Sequence, residues 1–286
     1  MRFIISLILI SFSMPSFTEE SAVDERFIEE QQLQTVGFSI TPHKPTYLIP
    51  FSFNDKIQSY DAYPKDENGS NDLQQLELEF QISFKIPVVV DIADLPLSLY
   101  FAYTQVSFWQ AYNSELSAPF RETNYEPEMF FRWQQHYDIG LGWEFKLATF
   151  GFTHQSNGRS SELSRGWNRL NGNVVIANGN LAVDFTPWYR FEQSASRDDN
   201  PDLLDYYGHG KITLAYKLNN HKFSFMSRNN LESGFSKGAM AATWSFPIHN
   251  KIHGYLKVFS GYGNSMIEYD EYTNTIGIGI SLTDWL

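Results

Sequence analysis

The segment Phe150-Gly151-Phe152-Thr153-His154-Gln155-Ser156 places an imidazole two residues before a hydroxyl. In an extended chain alternate side chains share a face, so Phe150, Phe152, His154 and Ser156 stand together. At that spacing His154 is close enough to take the proton of Ser156, which is what a serine nucleophile requires. Both residues continue an apolar face, where polar groups are costly and more often functional than idle. A His-x-Ser alone is a weak signal, because a strand running into a polar loop produces one by chance. For Ser156, Asn157 and Gly158 the ordinary reading is a polar turn at a strand's end. The other histidines (His43, His136, His209, His221, His249 and His253) need no more than loop or strand-end solvation.

The elements that must position this pair are strands. Leu76, Leu78, Phe80, Ile82, Phe84 and Ile86 alternate with Gln75, Glu77, Glu79, Gln81, Ser83 and Lys85. The same period of two runs through 180–191, 211–218 and 276–283, and more weakly through 46–54, 97–110, 127–134, 140–156, 166–177, 221–229, 236–247 and 251–262. Turn-forming clusters such as Asn178-Gly179-Asn180 and Asn219-Asn220 separate many of them. About twelve strands result, many near the ~9–11 residues a tilted transmembrane strand needs. Helical periodicity is nearly absent.

Composition narrows the field. The chain has 286 residues, 21 Lys+Arg against 33 Asp+Glu, and a net charge of −12, which argues against a nucleic-acid partner. It has no cysteine, which excludes disulfides, thiolate catalysis and cysteine-based zinc sites. Mean hydropathy is negative, so helix-length averaging reads the chain as soluble. The aromatic share of 16% argues otherwise.

A soluble sandwich or calyx points its apolar face inward, whereas an outer-membrane barrel turns it to lipid around a polar lumen. Three features favour the membrane. Aromatics lie near segment ends, at Phe108-Trp109, Trp188-Tyr189 and Tyr262, as interfacial girdles require. The opposite face carries Glu77, Glu79, Lys85, Asp184 and Arg190, which can pair in a wet lumen. The chain also ends in a strand, Ile276 to Leu286, that can close on an early one and remove the sheet edges. The expected architecture is all-β, a transmembrane antiparallel β-barrel over 45–286. Residues 1–18 read as a signal peptide: Arg2, an apolar run from Phe3 to Phe12, then small residues, with cleavage between Ser13 and Thr18. Residues 19–44 are an acidic, polar stretch expected on the periplasmic side.

The run His154-Gln155-Ser156-Asn157-Gly158-Arg159-Ser160, followed by Ser164-Arg165-Gly166-Trp167-Asn168-Arg169, resembles the outer-membrane phospholipase A family. Asn113-Ser114-Glu115, the stretch from Pro119 to Pro127, Asp198-Asp199-Asn200-Pro201-Asp202 and Ser260-Gly261-Tyr262-Gly263 match it too. The resemblance runs from about residue 45 to the C-terminus.

It implies a Gram-negative outer-membrane barrel that hydrolyses phospholipid acyl esters (phospholipase A1, A2 and lysophospholipase activity). The site would face the outer leaflet, depend on Ca2+, and be completed in a homodimer. Ser156 would be the nucleophile, His154 the base and Asn168 the group orienting the imidazole, a neutral third member as in Cys-His-Asn enzymes. The Gly158 N–H would stabilise the oxyanion. Calcium would be held by the Arg159 carbonyl and Ser164 of one chain and Ser117 of its partner. Gln105 would sit in the dimer interface, where an amide otherwise lacking a partner in lipid gives a reason to associate. Asp199 would belong to a second calcium site, but Ser161 stands where the family carries an acid. The chain also ends in Trp285-Leu286 rather than in an aromatic. The alternative is a non-enzymatic barrel, a pore or structural protein retaining the motif.

Overall fold

The computed structural model describes residues 21–34, 40–63, 65–194 and 196–286. The expected signal peptide lies outside the described residues. In chain order the elements are α1 (Ala22–Gln34), β1 (Thr41–Pro42), β2 (Thr46–Asn54), β3 (Leu76–Val89), β4 (Leu97–Trp109), β5 (Phe120–Gly140), β6 (Trp143–Ser156), β7 (Gly166–Asn178), β8 (Leu181–Arg190), α2 (Leu203–Tyr207), β9 (Gly210–Leu218), β10 (His221–Asn229), β11 (Gly238–His249), β12 (Ile252–Tyr262) and β13 (Tyr272–Thr283).

Strands β2 to β13 pair antiparallel with their sequence neighbours, and β13 returns to β2 through Ile276↔Phe53 and Ile278↔Phe51. A closed barrel of 12 strands results, with no free edge to satisfy in lipid. The two-residue β1 takes up the β3 ladder, Thr41↔Lys85, beyond the point where β2 leaves it. The closing seam is tight: a Cβ on Gly279 would lie 2.0 Å from the Leu48 carbonyl oxygen. Short turns join the strands at one end, and the long connections, 55–75 and 191–209 among them, gather at the other.

The alternation holds. On β3, Glu77, Glu79, Ser83 and Lys85 are buried toward the lumen while Leu76 and Ile82 are exposed outside. Phe51, Phe131, Phe150, Ile212 and Ile276 extend the apolar exterior around the wall. The interior is held by charge. Arg121 grips Glu77 at 2.7 and 2.9 Å and reaches Glu268 at 2.9 Å. Lys257 pairs with Glu79, and Arg190 with Asp198 at 2.6 Å. Such ions are tolerable in a low dielectric because each has a partner.

Four sequence expectations need correction. Phe108 is fully buried in the lumen, and the Trp188 indole turns inward to donate to the Gly208 carbonyl at 2.8 Å. Neither belongs to a girdle, because adjacent strand residues point to opposite faces and only one of each doublet can meet lipid. The outward partners do: Trp109 stacks on Phe120, and Tyr189 is 63% exposed against Phe191. A second aromatic band, Trp133, Tyr137 and Phe145, lies near the short-turn end.

The second correction is a helix: the polar stretch 19–44, which shows no helical periodicity, contains α1, and α1 docks inside the barrel at the short-turn end. Lys146 holds Asp24 at 2.7 Å, and Lys85 and Arg132 hold Glu30 at 2.6 and 2.8 Å. Phe27 packs among Ala177, Ala182 and Ala215. Burial alone would raise the Glu30 carboxyl, but Lys85, Arg132 and Arg26 hold it well below the usual carboxylate range.

Third, the last strand stops at Thr283. Trp285 folds into the lumen, where Arg26 donates to its carbonyl oxygen and to that of Asp284. Fourth, His43 is not merely solvated: its Nε2 lies 2.9 Å from Glu128 Oε1 in the lumen wall.

Candidate active site

Strands β6 and β7 pair in a register that sets His154 opposite Asn168 and Ser156 opposite Gly166. Because the pairing partners share a face, the His154 Nδ1 and Asn168 Oδ1 meet at 2.8 Å. The amide oxygen can only accept, so Nδ1 carries the proton and Nε2 presents its lone pair. Ser156 lies two residues along on the same outward face, continuing from the exposed Phe150 and Phe152. Its hydroxyl has no hydrogen-bond partner among the described residues and is free to turn toward a substrate.

Immediately after Ser156 the chain leaves the strand and bends. Gly158 has φ +65°, a left-handed value, and a Cβ there would come within 3.0 Å of the Tyr125 ring. Glycine is the residue that fits both constraints. The Gly158 N–H is also without a hydrogen-bond partner among the described residues. It is therefore a free backbone donor in the cleft that Ser156 lines.

One cleft is lined by His154, Ser156, Gly158 and Asn168 together with Arg159, Ser164 and Asp199. The Arg159 side chain is drawn off to the Phe120 and Arg121 carbonyls and to Glu122 at 3.3 Å. Ser164 Oγ donates to Asp199 Oδ2 at 2.6 Å, so two groups expected in different calcium sites touch within one cleft. The Ser164 hydroxyl and the Asp199 carboxylate are hard oxygens of the kind calcium takes. Among the described residues no group of three or more His, Asp or Glu is arranged to hold a metal.

Two expected residues stand apart. Ser117 lies exposed in the connection between β4 and β5, with φ +60°, and does not line the cleft. Gln105 faces outward on β4, but its amide is not alone: it accepts from the Tyr103 hydroxyl at 3.0 Å and donates to Ser107 Oγ at 3.1 Å. The cost of an unpaired amide in lipid is thus met largely within the chain.

Other residues matter that the sequence left without a role. Asn157, taken as part of a polar turn, is buried and ties the 157–165 connection together. Its Nδ2 donates to the Leu163 carbonyl at 2.7 Å, and its Oδ1 accepts from the Arg165 N–H at 3.0 Å. Asn200 Oδ1 accepts from the Gly166 N–H at 2.9 Å, anchoring the start of β7 to the 191–209 connection. A buried asparagine beside a glycine is a turn signal; its long-range partners are not readable from spacing.

Comparison with known proteins bears on this geometry. The family profile of phospholipase A1 matches residues 23–282. The phospholipase A1 of Klebsiella pneumoniae is 36% identical over 251 residues, covering 86% of this chain and 83% of its own length. A Neisseria meningitidis relative is 37% identical, covering 86% of this chain; the chain spans 65% of that relative's length. The outer membrane phospholipase A of Escherichia coli superposes with a TM-score of 0.80 at 34% identity, covering 87% of this chain and 100% of that one. The calcium-bound outer membrane phospholipase dimer of Salmonella typhi gives 0.81 at 33% identity, covering 89% of this chain and 96% of that one. With its closed barrel and serine cleft, the chain belongs to the phospholipase A1 family and is a Gram-negative outer-membrane enzyme that hydrolyses phospholipids.

Proposed function

We propose that hydrolysis proceeds through Ser156, His154 and Asn168, with the Gly158 N–H as oxyanion donor. The observation that carries this reading is the 2.8 Å contact between His154 Nδ1 and Asn168 Oδ1, with Ser156 beside it on the apolar exterior. Asn168 accepts the Nδ1 proton and fixes the tautomer, so Nε2 takes the Ser156 proton as Oγ attacks the ester carbonyl. The imidazolium then gives that proton to the departing lysophospholipid alcohol. Water, activated in turn by His154, releases the fatty acid from the acyl-serine. The family's reach over phospholipase A1, A2 and lysophospholipase esters suits a nucleophile exposed on an open wall.

The outward-facing cleft lies at the long-loop end, which in barrels of this class is extracellular, so the site faces the outer leaflet. The oxygen donors of Arg159 and Ser164 would hold calcium, with Ser117 supplied by the partner in a homodimer. That origin accounts for Ser117 lying away from the cleft of its own chain. Bound there, calcium would supply positive charge next to the developing oxyanion. The described Salmonella typhi relative is a dimer with calcium, and the outward-facing, half-buried Tyr103 and Gln105 lie on a stretch of wall where two barrels could meet. Asp199, hydrogen-bonded to Ser164, would serve the same ion in place of a second one.

The deciding experiment is phospholipid hydrolysis by the folded, detergent-solubilised protein, with and without calcium, beside Ser156→Ala. Turnover should vanish in the variant while heat-modifiable barrel migration stays unchanged. Persistent turnover in Ser156→Ala would refute the assignment.

A further inference from the structure

Two side chains of the motif, Trp167 and Arg169, flank Asn168 on β7 and have no part in the chemistry. Gln155 likewise lies between His154 and Ser156 on β6. All three point into the lumen, on the opposite face of the wall from the triad. There they form a second constellation behind the first. Gln155 Oε1 accepts from Trp167 Nε1 at 2.9 Å and from Arg169 Nη1 at 3.3 Å. The Arg169 guanidinium lies 4.1 Å from the centroid of the Trp167 ring and pairs with Glu126 at 2.7 Å. Glu126 in turn binds Lys44 at 2.8 Å. Trp167 is almost wholly buried and meets Trp188 and Tyr207 edge to face.

The register gives this cluster its meaning. Along β6 and β7 the cross-strand pairs run His154↔Asn168, Gln155↔Trp167 and Ser156↔Gly166. The lumenal pair is therefore the middle rung between the two outward pairs that bear the triad. Across a strand pair, contacts between directly opposed side chains stabilise the local pairing. A hydrogen bond at the middle rung thus fixes where the rungs on either side point. The outward face offers little alternative support: Gly166, opposite Ser156, has no side chain, and beyond Ser156 the strand ends.

We infer that Gln155, with Trp167 and Arg169, is a positioning residue for the triad, locking β6 to β7 from the lumen so that Ser156, His154 and Asn168 align on the lipid side. The inference rests on the proposed triad. Losing the lock removes no reacting group but lets the groups drift, and misplacement of this kind can cost about 10²-fold in rate. Substrate affinity, set by the outward surface, is untouched.

The test uses the full-length folded protein in detergent with calcium. It reads kcat and KM on a phospholipid, plus the rate at which a fluorophosphonate probe labels Ser156. Gln155→Leu, which removes the acceptor, should lower both kcat and labelling roughly ten- to a hundredfold with KM unchanged. Gln155→Glu, which keeps an acceptor oxygen facing Trp167 and Arg169, should recover most of the loss. Trp167→Phe removes the donor while keeping the ring, and supplies the same reading if the leucine variant does not fold. Wild-type kcat and labelling in either Gln155→Leu or Trp167→Phe would overturn the inference, as would a glutamate variant no better than leucine. Failure of the underlying triad is a separate result: the wild-type protein would then not be labelled at Ser156 at all.

Discussion

His154 and Asn168 are opposite residues on adjacent strands, and the ladder that pairs their backbones also brings Nδ1 and Oδ1 to 2.8 Å. The proposed orienting group is thus set by sheet register, not by a loop. Asn168→Ala should leave the barrel intact and lower kcat roughly 10–10²-fold, with KM little altered, because a neutral acceptor supplies orientation without charge. Asn168→Asp, which keeps the acceptor, should retain much of the activity. Steady-state kinetics on both variants decide the point; an alanine variant as fast as wild type would remove Asn168 from the site.

Gly158 is constrained twice over, since its backbone is left-handed and a Cβ there would meet the Tyr125 ring. Gly158→Ala should force the 157–165 connection to shift and misaim the free N–H. Loss of one oxyanion donor costs about 10²–10³ in kcat. Barrel folding, followed by heat-modifiable migration, should be unaffected. Unchanged kcat in this variant would mean that the oxyanion is held elsewhere.

The strands were legible because a barrel in lipid obeys one simple rule, apolar out and polar in, and β3 obeys it from Leu76 to Ile86. The proposed site was legible because His154, Ser156 and Asn168 lie within one continuous motif on two consecutive strands. Helix α1 was not, and the cause is physical. Among the described side chains Ala22, Val23, Phe27 and Glu30 form its buried face, and one of the four is a carboxylate, because the wall it meets carries Lys85 and Arg132. A helix that docks on charge has no apolar stripe to detect. The aromatic doublets failed for a different reason. Phe108-Trp109 and Trp188-Tyr189 each split across the wall, and composition near a strand end cannot say which member faces lipid.

Calcium and association are linked in the proposed site, because Ser117 reaches a cleft only from a partner. Activity should therefore fall to background with a chelator, return on adding calcium, and rise more steeply than linearly with protein concentration in detergent. Ser164→Ala should raise the calcium concentration needed for half-maximal rate without altering the monomer's heat-modifiability. Activity proportional to protein and indifferent to chelation would leave the triad standing and dispose of the dimer.

The lumenal helix gives the last prediction. Glu30 is ringed by Lys85, Arg132 and Arg26, which depress its carboxyl below the usual range. A depressed acid stabilises the docked helix fully above its ordinary pKa, near 4.5, and that contribution declines progressively as pH falls from there toward the depressed value. Docking should thus be full at neutral pH and weaken on acidification below about pH 4.5. Glu30→Gln should mimic the acid state at neutral pH, costing about 3–5 kcal/mol by leaving two buried cations without their partner. The chain contains no cysteine, so Ala22→Cys, at a buried position of α1, provides a single reporter thiol. Its reaction with 4,4′-dithiodipyridine, which proceeds at acid pH, should be slow at pH 7, faster at pH 4, and fast at both in the Glu30→Gln background. Equal rates in all four conditions would show that α1 is held by Phe27 and the C-terminal carbonyls, with the ion pairs contributing little.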